Sequence, residues 1–178
     1  MIEPHDRPVS YDPRWPAAFE AEAMRLQRSG AFQRLHHMGS TAVPGLLAKP
    51  VIDILAETQS LEAVDRATPH LADLGYDARG EFGIAGRRYF RRHDAAGVRT
   101  HHLHVYEVGS AQIERHLMLR DYLRAHPARA NAYAGFKQAI VAGAVGQGLS
   151  YAAAKVDFVE GLNVEARAWR ALRPSHSP

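Results

Sequence analysis

The sequence predicts an α+β domain: a mixed β-sheet flanked by helices, followed by a helical C-terminal half. Three observations lead there. Short apolar runs suited to strands recur at about 32–38, 51–56, 82–91 and 100–107, with one helical pattern between the second and the third. Everything from about residue 110 onward repeats at helical spacing. At 178 residues, 46% of them hydrophobic, the chain can bury one sizeable core and is short for two. We therefore expect a single domain over residues 1–173 and a disordered tail over 174–178.

Each element follows from a local cue. Pro16 suits the first turn of a helix in which Trp15, Phe19, Ala23 and Leu26 recur on one face until Gly30 ends the pattern. Residues 32–38 read as a short strand, and the run Gly39-Ser40-Thr41-Ala42-Val43-Pro44-Gly45 is dense in turn formers. Val51-Ile52-Asp53-Ile54-Leu55-Ala56 is short enough for a buried strand, yet carries one acid in its middle. Residues 60–74 fit a helix, with Ser60 as N-cap and Gly75 just past its end. Strands at about 82–91 and 100–107 are joined by a turn near 94–97. The helical remainder falls into three pieces, divided near Pro127 and at 143–148.

Composition narrows the chemistry. No apolar run reaches the roughly 18 residues that a membrane span needs. The opening MIEPHDRPVSYDPRW lacks a basic segment followed by an apolar one, so we expect a cytoplasmic protein. Cysteine is absent, which removes disulfides, thiolate metal sites and cysteine nucleophiles together; any metal must be held by His, Asp or Glu. Arg79, Arg87, Arg88, Arg91, Arg92 and Arg99 crowd one segment of a chain whose formal charge is only +3. That cluster suits an anionic partner or a solvated basic face.

Alternation along the second strand sets Val51, Asp53 and Leu55 on one face, and Ile52 and Ile54 on the other. A lone carboxylate in an apolar strand is costly unless it is paired, hydrogen-bonded or bound to metal. Phosphoryl and nucleotidyl transfer needs such an acid for a divalent ion, and a small turn whose backbone amides approach phosphate; Asp53 and Gly39-Ser40 have those properties. Asp53 could equally cap a loop or pair with an arginine. In His101-His102-Leu103-His104 the same alternation points His102 and His104 one way, as a pair able to bind metal, contact phosphate or move protons.

On the helices, Arg120 falls within the arc of Ile113, Leu117, Leu119 and Leu123, Lys137 within that of Tyr133, Phe136 and Ile140, and Lys155 within that of Tyr151, Phe158, Leu162 and Trp169. Three cations on three apolar faces suit one shared anionic ligand, although lysines at the edge of a stripe commonly reach out to solvent.

These residues resemble the GrpB-like family of the nucleotidyltransferase superfamily, a domain that also occurs fused to dephospho-CoA kinase. The matching stretches are Tyr11-Asp12-Pro13-Arg14-Trp15-Pro16, His37-Met38-Gly39-Ser40-Thr41-Ala42-Val43-Pro44-Gly45-Leu46 and Lys49-Pro50-Val51-Ile52-Asp53-Ile54, then Gly86-Arg87-Arg88-Tyr89-Phe90, His102-Leu103-His104-Val105 and Arg120-Asp121-Tyr122-Leu123-Arg124. The resemblance implies a mixed sheet with flanking helices, in which a Gly-Ser turn leads by a short connection to a strand of metal-binding acids. It also implies a second acid two residues after Asp53, where this chain has Leu55; Glu57 lies two residues further along the same face. Without a G-x-x-x-x-G-K-[ST] loop, the kinase activity of the fused relatives does not carry over.

The functional expectation is then a metal-dependent nucleotidyltransferase. Asp53 is its catalytic residue. Gly39, Ser40, Thr41, Lys49, Arg88, Arg120, Lys137 and Lys155 hold nucleotide or phosphate, and Asp53, His102 and His104 hold a divalent metal, Mg²⁺ or Mn²⁺, or another ion through the histidines. The alternatives are a non-catalytic module that binds a nucleotide or another phosphorylated small molecule, and a His-ligated hydrolase. RNA is a further candidate partner, without a recognised RNA-binding motif.

Overall fold

The computed structural model describes residues 7–146 and 148–173, apart from the side chain of Ala152. The expected disordered tail at 174–178 lies outside the described residues. The elements run α1 (Trp15–Gln27), β1 (Arg34–Met38), a 3₁₀ turn (Ser40–Ala42), β2 (Ile52–Thr58), α2 (Leu61–Asp73), β3 (Tyr76–Ala78), β4 (Arg88–His93), β5 (Arg99–Glu107), α3 (Ala111–Ala125), α4 (Pro127–Val141), α5 (Tyr151–Ala154) and α6 (Val156–Ala171). The five strands form one sheet in the order β1-β2-β5-β4-β3. Only β2 and β5 pair in parallel; the other neighbours are antiparallel, so the expected α+β class with a mixed sheet and a helical C-terminal half is what the chain adopts.

The sheet has two unlike faces, and alternation along β2 decides which residue meets which. Ile52, Ile54 and Ala56 join Leu103 and Val105 of β5 and Phe90 of β4 in a cluster closed by Trp15, Phe19 and Leu26 of α1 and Val64 and Leu71 of α2. Several of these side chains are wholly buried, and each such aliphatic group contributes about 1.5–3 kcal/mol. The helices that cover this face start where expected. Pro16 occupies the first turn of α1, and the Ser60 hydroxyl accepts the Ala63 amide at 3.3 Å to cap α2.

The opposite face carries Asp53, Leu55 and Glu57 of β2 and turns toward the C-terminal helices. Leu55, Met38, Tyr106 and Ile113 of α3 form a small buried cluster there. Beyond it, α3, α4 and α6 pack together around Tyr122, Leu123, Tyr133 and Leu162, with Val43 and Leu46 of the turn region inserted among them. The polypeptide from 39 to 48 is thereby clamped between the sheet and the helices.

Three expectations need correction. The strand expected at 82–91 starts only at Arg88, because residues 80–87 form a loop in which Arg87 Nη2 and Nε donate to the carbonyls of Phe82 (2.8 Å) and Glu81 (3.1 Å). The short edge strand β3 gave no periodic signal in three residues. Among the described residues the helical half comprises four pieces, since the stripe from Tyr151 to Trp169 is broken at Lys155, between α5 and α6. No helix among the described residues is long and apolar enough to cross a membrane.

Candidate functional site

Asp53 sits on the face that looks toward the C-terminal helices, opposite Met38 of β1 and beside His102 of β5 in the parallel register. Gly39 follows Met38 directly and has φ +71° and ψ −168°, a backbone state that favours glycine. A Cβ at this position would also run into the Asp53 carboxylate. The Gly-Ser turn and the acid are thus pressed together, as the family resemblance implies. Lys49-Pro50 then leads by a short connection into β2.

Two imidazoles complete this corner. His102 Nδ1 lies 2.8 Å from Asp53 Oδ1, while His102 Nε2 is buried with no hydrogen-bond partner. His104, two residues on and on the same face, has Arg87 Nη1 at 3.4 Å from its Nδ1. One donor atom each from Asp53, His102 and His104 lies within 4.8 Å of the others, a spacing that could hold a metal ion. The electrostatics agree with that use. Burial pushes the Asp53 carboxyl up, but the His102 hydrogen bond and the charges of His102, His104 and Lys155 outweigh it and leave the pKa lowered. Burial pulls His104 down to about 3, so its imidazole is neutral and able to ligate at ordinary pH. A carboxylate with two imidazoles, one carrying an orphaned buried nitrogen, fits a divalent cation; two nitrogens move the preference from Mg²⁺ toward transition metals.

The triad opens on a cavity of about 340 Å³ whose far wall is cationic. Lys137 of α4 is only 1% exposed; its Nζ donates to Ser40 Oγ at 3.1 Å and to the Leu47 carbonyl, and lies 4.4 Å from the centre of the Tyr133 ring. Burial, aided by the charge of Lys155, lowers Lys137 to about 7. Lys49 and Lys155 both reach the Tyr151 ring, at 4.5 and 4.6 Å from its centre. Tyr-to-Lys spacing of four residues therefore has a physical meaning here: in each helical segment the tyrosine ring supports the ammonium that faces the cavity.

The structure brings Ser40, Thr41, Lys49, Asp53, His102, His104, Lys137 and Lys155 to this one cavity, with Gly39 against Asp53 behind it. The Thr41 hydroxyl is already engaged by His37 Nε2 at 2.9 Å. Two expected phosphate-binding residues are not brought there. Arg88 stands on the other face of β4 from Tyr89 and forms a two-point pair with Asp65 of α2, at 2.6 and 2.7 Å. Arg120 donates to Asp121 Oδ1 at 2.7 Å and to the His37 carbonyl at 3.1 Å, so it ties α3 to the end of β1. Leu55, at the position of the implied second acid, is wholly buried under α3. Glu57 stays on β2 but pairs with His36 Nε2 at 2.6 Å, away from the triad.

Sequence reasoning did not assign Phe82, Tyr89, Arg91 or Arg99 to the site, and named Tyr151 only on the stripe with Lys155; all five line the cavity. The crowding of arginines between 79 and 99 was the available signal for two of them. Tyr89 needed the true start of β4 to be assigned to the same face as His102 and His104, whose rings lie 5.6 and 4.9 Å from its own.

Comparison with known proteins bears on this site. The family described as GrpB protein matches residues 8–164. UPF0157 protein YqkA of Bacillus subtilis is 40% identical over 93% of this chain and 48% of its own length. A crystal structure of conserved protein GrpB from Enterococcus faecalis is 37% identical and covers 91% of this chain and 99% of its own, with a TM-score of 0.81. A dephospho-CoA kinase of Mycobacterium bovis contains a stretch 30% identical over 92% of this chain and 46% of its own length. The chain thus spans about half the length of the YqkA relative.

Proposed function

The chain belongs to the GrpB family, and we propose that it is a metal-dependent enzyme that moves a nucleotidyl group from a nucleoside triphosphate to an acceptor. Its centre is Asp53 with His102 and His104, in place of paired carboxylates. One observation carries this reading: the three donor groups share a cavity with Lys49, Lys137, Lys155 and the Ser40 hydroxyl. Donors for a cation and donors for phosphate oxygens thus face each other across a space of the size that small molecules occupy.

A divalent ion held by Asp53, His102 and His104 would supply charge neutralisation at the phosphate oxygens. The rest falls to the chain. Gly39 keeps the turn backbone close to the Asp53 carboxylate, so that Ser40 can meet a phosphate next to the donors. Lys137 and Lys155 bear the charge that grows on the leaving group as an acceptor hydroxyl gives its proton to solvent and its oxygen bonds to the α-phosphorus, the bond to the bridging oxygen breaks, and pyrophosphate departs with that electron pair. The buried tyrosine rings beneath the ammonium groups fix their positions in advance. The ligands expected are a nucleotide or another phosphorylated small molecule, and the expected setting is the cytoplasm.

Pyrophosphate release from ATP, CTP, GTP or UTP with Mg²⁺ or Mn²⁺, and candidate acceptors, tests the reading. Asp53→Asn should lower turnover at least about 100-fold with an unchanged melting temperature; full activity in that variant refutes the assignment. Tight nucleotide binding without pyrophosphate release would instead mark a binding module, the outcome that a buried Leu55 favours. A second enzymatic reading, a His-ligated hydrolase, is supported by the donor set, because two imidazoles to one carboxylate suit zinc or iron. Stoichiometric zinc or iron in the purified protein, with phosphate-ester hydrolysis that needs no triphosphate, would favour it.

A further inference from the structure

We infer that Phe82, backed by Arg91 and Tyr89, is the platform on which the base of a nucleoside triphosphate stacks; this rests on reading the cavity as a nucleotide site. Phe82 is 55% exposed, yet it lines the cavity rather than a core cluster. It is also the only described non-glycine residue with positive φ, at 45°. A half-exposed aromatic ring in a costly backbone conformation calls for a reason. No buried core cluster supplies one.

The surroundings show how the ring is held. The buried Arg87 donates to the carbonyls of Glu81 and Phe82, and Glu81 Oε1 accepts the Gly86 amide at 2.7 Å, so the 80–87 loop is braced at both ends. The Arg91 guanidinium lies 4.6 Å from the centre of the Phe82 ring and 5.3 Å from that of Tyr89; the two rings are 5.2 Å apart and tilted by 32°. One side of Phe82 is therefore occupied by a cation that is itself stacked on Tyr89. Its remaining surface is available to a planar π-system, which would extend the stack.

Position and polarity favour a base over a plain apolar ring. The donors Asp53 and His102 stand on β2 and β5, and Tyr89 and Arg91 stand on the next strand, β4. From β2 to β4 is two strand spacings, roughly 9–10 Å, which suits one end of the ligand on the phosphate side and the other on the platform. Arg99 lines the same cavity and its buried Nε has no hydrogen-bond partner. A heterocycle has carbonyl and ring-nitrogen acceptors on its rim; a hydrocarbon ring would leave such a donor unmet.

Calorimetric titration of the wild type and of Phe82→Ala and Phe82→Trp with Mg²⁺ and each of ATP, CTP, GTP, UTP and inorganic tripolyphosphate tests this. In the wild type at least one triphosphate nucleoside should bind about 10-fold or more tightly than tripolyphosphate. Phe82→Ala should lose that margin with tripolyphosphate affinity unchanged, and Phe82→Trp should keep it. If nucleotide and tripolyphosphate bind alike, or if Phe82→Ala weakens both equally, the platform is overturned while the phosphate site stands. If neither binds, the phosphate site falls and the platform with it.

Discussion

The two faces of the β2–β5 pair differ in kind although they alternate residue by residue along the same strands. On one, Ile52, Ile54, Ala56, Leu103 and Val105 meet α1 and α2 in a dry cluster. On the other, Asp53, His102 and His104 face a cavity, with the His104 ring 6.2 Å from that of His116 on α3, and only further along do Leu55 and Tyr106 return to packing, beneath α3. The apolar face gains from every atom buried. The polar face holds groups that burial penalises, and each is held by a particular neighbour: Asp53 by His102, Lys137 by Ser40 and the Leu47 carbonyl. The lesson is that at this end of the β2–β5 pair one face is given to packing and the other to the candidate ligand-holding groups, with the strand pleat as the divider.

That division can be broken or sharpened by substitution. The largest effect is expected from Ile54→Ala, which opens a hole in the dry face and should cost about 2–5 kcal/mol in chemical denaturation. Metal affinity of the folded fraction should not change; a parallel loss of metal would show that the faces are coupled. Gly39→Ala comes next. It asks for a Cβ at φ +71° against the Asp53 carboxylate, and should cost roughly 1–3 kcal/mol while abolishing Mn²⁺ binding followed by paramagnetic resonance. Intact Mn²⁺ binding in that variant would separate the turn from the acid.

The effect of opposite sign concerns Lys137. Unfolded, its ammonium titrates near the ordinary 10.5, but in the folded chain near 7. Below about 7 both states keep the proton and the full cost of burying the charge opposes folding; between 7 and 10.5 only the unfolded state keeps it, so the cost shrinks. Stability should therefore rise with pH across that window. Lys137→Met should flatten the rise and stabilise the protein near neutrality, yet weaken tripolyphosphate binding. Wild-type binding should itself decline above pH 7 as the ammonium loses its proton. A pH-independent affinity would remove Lys137 from the site.

Much of this was legible in the sequence, and the limits have physical causes. His102 and His104 could be paired because a period of two is intrinsic to a strand, and the family resemblance set Asp53 beside them. Lys137 and Lys155 could be placed by helical arcs, as could their tyrosines. Arg88 and Arg120 could not be assigned correctly, because their placement depends on tertiary partners: Asp65 of α2 draws one to the far face, and the His37 carbonyl and Asp121 hold the other. Leu55 was visible as a departure from the expected acid, but that Tyr106, Met38 and Ile113 bury it needed the fold. Phe82 escaped notice because the loop it occupies reads as strand until Arg87 is seen to bond its backbone.

The parallel pairing of β2 with β5 has a consequence for the order of events in a growing chain. Asp53 and His102 are 49 residues apart, and α2, β3 and β4 must all be traversed before β5 can dock beside β2. Lys137 and Lys155 arrive later still. Contacts of such separation are slow to close, since the loop entropy is lost before any contact repays it. A ribosome-bound fragment that ends before β5 has neither imidazole of this centre, so the centre cannot yet form. A cation bound at this centre would thus report that the sheet is complete, and would add its stabilisation only to that completed sheet.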